Sequence, residues 1–209
     1  MKQERYLMYV DAAANHNKYY KARLNDDNSI DIEYGRVGSA PQTHHYIPGE
    51  RDFSDLIMQK LRKGYTEQTA NHVSQKAAAA DYAPISEPDM RVLIEGIRAK
   101  SRQFVKQNYV LELTDITEIM VRNAKDLLNE ARVYAEHGYS VYDVNKKLTE
   151  LFAVIPRRMA KVSDFLAKTP ADYDGILTRE KGLLDTLEQQ VAEQKIRIIV
   201  IIPAYNEQD

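Results

Sequence analysis

Lys18, Tyr34 and Arg36 are the residues whose types and spacing offer chemistry. A guanidinium near an ammonium and an aromatic ring suits a phosphate together with a stacked base or sugar. Gly35 and Gly38 bracket Arg36 and Val37. A glycine inside a strand pattern marks a bulge or a place where another backbone comes close. Such a break would re-aim Arg36 toward a surface shared with Lys18 and Tyr34; the plain alternative is a surface arginine after a bulge. Other chemistry finds no footing. His44 and His45 are adjacent in a strand-like run, so they face opposite ways and cannot chelate one metal. His16, His72 and His137 lack ligand spacing, and structural or surface roles are expected for all five histidines. Clustered carboxylates, a Ser/His/Asp arrangement and a phosphate-cradling glycine loop are not found, so neither cofactor nor metal is expected.

The elements that position these residues can be read from periodicity. Asn17 to Leu24 and Ser29 to Gly38 form two alternating runs joined by Asn25-Asp26-Asp27-Asn28, a cluster suited to a tight turn, and predict a β-hairpin. Tyr20, Ala22 and Leu24 share one face of the first strand, with Lys21 and Arg23 opposite. Ile30, Ile32 and Tyr34 share one face of the second, with Asp31 and Glu33 opposite. Residues Arg5 to Val10 predict a strand before the hairpin and Gln42 to Ile47 one after it, giving a meander of about four strands. Phe53, Leu56, Ile57, Lys60 and Leu61 then follow helical spacing, with Gly64 in the stop position, and this helix should cover the sheet.

Asn17-Lys18-Tyr19-Tyr20, followed after a dozen or so residues by Tyr34-Gly35-Arg36-Val37-Gly38, resembles the WGR domain, a sheet-plus-helix module of DNA-break-sensing poly(ADP-ribose) polymerases and of many bacterial proteins. The resemblance covers roughly the first third of the chain. Tyr34 stands where that family has its tryptophan, so the ring beside a DNA end would be smaller and carry a hydroxyl. The resemblance implies a DNA-end site in which Arg36 and Lys18 hold a terminal phosphate, Asn17 donates a positioning hydrogen bond, and Tyr34 packs on the terminal sugar or base beside Gly35.

The 209 residues allow one large domain or two small ones, and the composition, 44% hydrophobic and 29% charged, is that of a folded protein. A net charge of -2 argues against an indiscriminate nucleic-acid binder, although a local basic patch remains compatible with it. Without cysteine there are no disulfides or thiolate metal sites. No window reaches the roughly 18 apolar residues of a membrane span, and Met1 to Arg5 do not open a signal peptide; a cytoplasmic protein is expected.

The expected division is a WGR-like domain over 1–75, a linker over 76–88, a helical bundle over 89–195 and an apolar tail over 196–209. The linker reading begins at Thr66 and includes a short helix over Ala77–Ala80. The bundle rests on regular stripes: Leu93, Ile94, Ile97, Phe104 and Val105, with Ser86 as cap; Ile116, Ile119, Met120, Ala124, Leu127, Leu128, Ala131 and Tyr134; Val141, Val144, Leu148, Leu151 and Phe152; and Leu177, Leu184, Leu187 and Val191. Val144 to Arg158 is similar to a helix of the poly(ADP-ribose) polymerase regulatory domain that ends in an Ile-Pro segment, as are Val92–Ile97 to its opening helix and Lys181–Val191 to its closing one. The family's Pro-Leu-Gly-Lys-Leu-Ser segment is replaced by Leu111-Glu112-Leu113-Thr114.

In that family an ADP-ribosyltransferase domain follows the bundle and binds NAD; residues 196–209 are too few for it. The run Ile196–Ile202 followed by Pro-Ala-Tyr-Asn-Glu reads as a buried strand and resembles the opening of family 2 glycosyltransferases, without the sheet and acidic pair that they require. The fold class expected is therefore α+β, a small antiparallel sheet with one covering helix and then an all-α bundle. The function expected is non-catalytic DNA-end binding and regulation, or the front end of an NAD-dependent ADP-ribosyltransferase, with DNA ends as partner and a catalytic domain or partner protein on the bundle. The alternative is a protein–protein module with no nucleic-acid role.

Overall fold

The computed structural model describes residues 1–72 and 88–193. It is α+β, a five-stranded antiparallel sheet followed by a helical unit. Strands β1 (Gln3–Asp11), β2 (His16–Leu24), β3 (Ile30–Arg36) and β4 (Gln42–Tyr46) form the expected meander, and β5 (Thr66–Glu67) adds to its far edge in the order β4-β3-β2-β1-β5. The expected linker start at Thr66 is thereby corrected. Thr66 and Glu67 pair with Met8 and Leu7, and Gln68 N–H donates to the Tyr6 carbonyl. Two residues carry no periodicity, so this strand left no pattern to read. The expected helix over Ala77–Ala80, the cap at Ser86, most of the linker and the tail lie outside the described residues.

Helix α1 (Phe53–Arg62) starts where Asp52 accepts a hydrogen bond from the Asp55 N–H, and it buries Phe53 and Ile57. They close a core of Leu7 from β1 with Tyr20, Ala22, Ile30 and Ile32 from the predicted inward faces of the hairpin. Gly64 ends the segment at φ +87°, and a Cβ there would stand 3.3 Å from Tyr9 Cε2, so both backbone and space ask for glycine. β4 is an edge strand, its five residues exposed or half-exposed.

The short α2 (Thr69–His72) reaches the helical unit, where Asn123 Nδ2 donates to Asn71 Oδ1. That unit comprises α3 (Pro88–Asn108), α4 (Glu118–Glu136), α5 (Val141–Val154) and α6 (Tyr173–Glu193), with 3-10 turns between them. Thr117 and Ser140 cap α4 and α5, and Pro156 follows the end of α5. Met120, Ala124, Leu128, Ala131, Val144, Leu148, Leu151, Phe152, Leu177, Leu184, Leu187 and Val191 share one core. Within this core Arg157 and Glu180 form a buried ion pair at 2.5 Å.

Two stripes are corrected. Ile119 is exposed and Val121 is buried in its place. Along α3 the bundle covers the helix only from Ser101 onward: Leu93 and Ile97 are 58% and 42% exposed, whereas Val105 is 1%. Among the described residues no helix is long and apolar enough to cross a membrane.

The sheet has two occupied faces. α1 lies on one, and the other meets the bundle through β1, where Val10 and Ala12 pack against the helical core. This is why Leu7 and Met8, neighbours on opposite faces, are both fully buried.

Candidate nucleic-acid interface

Strand pairing puts Tyr9, Lys18 and Arg36 in one row across β1, β2 and β3, with Leu7, Tyr20 and Tyr34 in the next row. Both rows are on the face that α1 covers, but α1 reaches only the second. Its last turn sets Lys60 Nζ 4.2 Å from the centre of the Tyr20 ring, 5.6 Å from that of Tyr65 and 5.9 Å from that of Tyr34. The Tyr9 and Tyr65 rings stack at 5.3 Å on the same flank. The result is a group of phenol rings threaded with cations at one end of the sheet.

The shared surface of Lys18, Tyr34 and Arg36 is thus present, but not through a bulge. Pairing runs without interruption from Leu24↔Ile30 to Lys18↔Arg36, so the ordinary period of two places these side chains together. Gly35 is on the opposite face, where a Cβ would make only ordinary contacts. Gly38 does have a conformational role: at φ +83° it closes a turn in which Ser39 N–H donates to the Arg36 carbonyl. Asn17 too is on the face away from Lys18; it is 1% exposed, and its Oδ1 has no hydrogen-bond partner. It stands opposite Val10, on the side that meets the bundle.

Arg36 does not project freely. Its Nη1 donates to the Asn15 carbonyl at 2.7 Å, and its Nη2 to the Ala160 carbonyl at 3.1 Å and to Asn15 Oδ1 at 3.4 Å. Asn15, in a left-handed conformation at φ 49°, accepts a further bond at Oδ1 from the Val162 N–H. The arginine therefore ties the sheet to the segment after α5. All these acceptors are neutral, and a guanidinium has five N–H groups, so both its charge and part of its donor set stay available.

Lys60 and Lys63 complete the group. The Lys60 ammonium is held below the usual lysine range, first by burial and then by the charges of Lys63 and Lys18. The Lys60 ammonium thus feels two others, and among the described residues no carboxylate stands at ion-pair distance from the three or from Arg36. Like charges so placed are unfavourable alone and favour an anion. The sequence did hold a signal for Lys60: it falls on the apolar stripe of its helix, where a lysine is out of place. His44 packs edge-on against Tyr46, and His45 Nδ1 is 2.7 Å from Asp31 Oδ1, so the two point apart. Among the described residues no group of His, Asp and Glu could hold a metal.

Residues 3–72 match the WGR domain family. Uncharacterized protein 101L of Invertebrate iridescent virus 6 is 23% identical over 177 residues, covering 85% of this chain and 73% of the viral protein. That likeness is longer than the WGR segment and so includes helical residues. A protein from Bacteroides fragilis of known crystal structure is 18% identical, with a TM-score of 0.30, over 46% of this chain and 28% of its own.

Proposed function

We propose that the WGR domain of residues 3–72 binds nucleic acid, a DNA end in particular, and that the helical unit senses or regulates that binding. The supporting observation is the group of uncompensated cations, Lys18, Lys60, Lys63 and Arg36, around a phenol ring left 37% exposed at Tyr34. The ammonium groups take the terminal phosphate, and Tyr34 packs on the terminal sugar or base. Arg36 adds its remaining donors while holding Ala160, so a ligand that draws on the guanidinium also acts on the bundle. Binding of this kind is independent of sequence and falls with salt.

Titration of 5′-phosphorylated and 5′-hydroxyl DNA ends at low and moderate salt tests this, with Lys60→Met beside the parent. The phosphorylated end should bind more tightly, and the variant should lose about one unit of the salt slope. Equal binding by parent and variant would remove the reading.

One observation favours a second reading, a protein-interaction module. Arg36 spends three of its donor contacts on Asn15 and Ala160, as a purely structural arginine would. In that case neither DNA end binds and Arg36→Ala alters stability alone.

A further inference from the structure

The cations at the end of the sheet do not stop at the sheet. Ala160, whose carbonyl is 3.1 Å from Arg36 Nη2, is followed directly by Lys161, and Val162 N–H is fixed at 3.0 Å on Asn15 Oδ1. The Lys161 backbone is therefore pinned on both sides, one residue from the Arg36 head group, with consecutive Cα atoms about 3.8 Å apart. Its side chain is exposed. Arg158, also exposed, is held by two neutral acceptors: its Nε donates to the Lys106 carbonyl at 2.7 Å and its N–H to the Asn108 carbonyl at 3.0 Å. The segment after α3 lies beside the turn after β3, since a Cβ on Gly38 would stand 3.7 Å from Val110 Cγ2. Among the described residues Arg158, Lys161 and Lys106 have no carboxylate at ion-pair distance. In a chain of net charge -2, uncompensated cations thus collect on both sides of one seam.

We propose that Arg158 and Lys161 of the helical unit belong to the same anion-binding surface as Lys18, Lys60 and Lys63, and that its occupant is a nucleic-acid duplex lying across the seam. This rests on the nucleic-acid reading above and extends it from a terminal phosphate to the phosphates that follow. A single phosphate can engage one side of the seam. A duplex strand presents a charge about every 3.4 Å along its axis, so consecutive phosphates reach both sides. Charges within about 8–10 Å, one screening length, act on each other and on a shared polyanion. The hydrogen bonds from Arg36 and Asn15 to Ala160 and Val162 hold the two sides in fixed register, so the surface needs no ordering when the duplex arrives.

The test uses the full chain and fluorescence anisotropy with two probes: a 5′-phosphorylated duplex of about 20 base pairs and a 5′-phosphorylated dinucleotide, each over a range of salt. The expected result is that Arg158→Gln with Lys161→Gln weakens the duplex at least tenfold and removes about two units of its salt slope, while the dinucleotide is unaffected. Lys60→Met should weaken both probes. Should Arg158→Gln unfold the chain, Lys161→Glu reverses an exposed charge with no ion pair among the described residues and carries the comparison alone. If the bundle variants bind the duplex with the parent's affinity and slope while Lys60→Met does not, the seam is not the surface and the sheet site stands. If the parent binds neither probe, both readings fall. If an acidic peptide binds as tightly as the duplex and loses as much in the bundle variants, the occupant is a protein and the duplex assignment is overturned.

Discussion

Lys60 is a lysine on a half-buried helix face with two other ammonium groups near it, and this leaves a signature in stability as well as in binding. Its folded-state pKa is below that of the unfolded chain, so the folded form sheds its proton first. Relative to Lys60→Met, which keeps the stem and removes the charge, the parent should gain stability as pH rises through the folded value. The gain is complete at the ordinary lysine value of about 10.4. Denaturant unfolding of both proteins from neutral to alkaline pH measures it, and parallel curves would mean that the ammonium is not strained. Gly64→Ala is expected to cost about 1–2 kcal/mol, because the backbone is left-handed and Tyr9 stands where the methyl group would go. At this scale the sequence was partly legible. A bulge was expected to turn Arg36 toward Lys18 and Tyr34, and the unbroken period of two puts the three on one face instead. The tie from Arg36 to Ala160 was hidden because 124 residues separate the partners. The burial of Asn17 was hidden because a strand pattern does not say which face a later unit will cover.

Helices carried their own notice. Each apolar stripe in α4, α5 and α6 is buried along most of its length, because a stripe of that width has to find a partner. α3 is the exception: its stripe is continuous in sequence, but the bundle meets only the C-terminal half. Two substitutions on the same helix should therefore behave differently. Val105→Ala should cost about 1–3 kcal/mol, whereas Leu93→Gln should change stability by no more than about 0.5 kcal/mol, both read from denaturant midpoints. Amide exchange should divide the helix in the same place, with the stretch before Ser101 exchanging faster than the stretch after it. Periodicity foretold the helix but was silent on how far along its length the neighbours would reach.

A small set of hydrogen bonds joins the sheet to the bundle. Asn15 makes two of them, accepting at Oδ1 from the Val162 N–H and donating from Nδ2 to the Ala160 carbonyl at 3.4 Å, and it also holds Arg36, which donates to Ala160. Asn15→Gly keeps the left-handed backbone and removes the amide, so its expected cost of about 1–3 kcal/mol reports the junction rather than turn strain. Calorimetry of this variant should show the single transition broadening or dividing as the two units part. Within the bundle, Glu180→Ala would strand the buried Arg157 guanidinium and should cost about 3–5 kcal/mol, a loss that urea unfolding would register.

One consequence follows from where these partners stand along the chain. The sheet is complete once Glu67 has paired with Leu7, and Asn15 is already there to hold Arg36, but the Ala160 carbonyl that ties the arginine to the bundle belongs to a residue 124 positions later. During synthesis on the ribosome the first unit can therefore fold with the arginine held by Asn15 alone. The nascent protein would pass through an interval in which the proposed phosphate site has formed and the bundle has not yet closed on it.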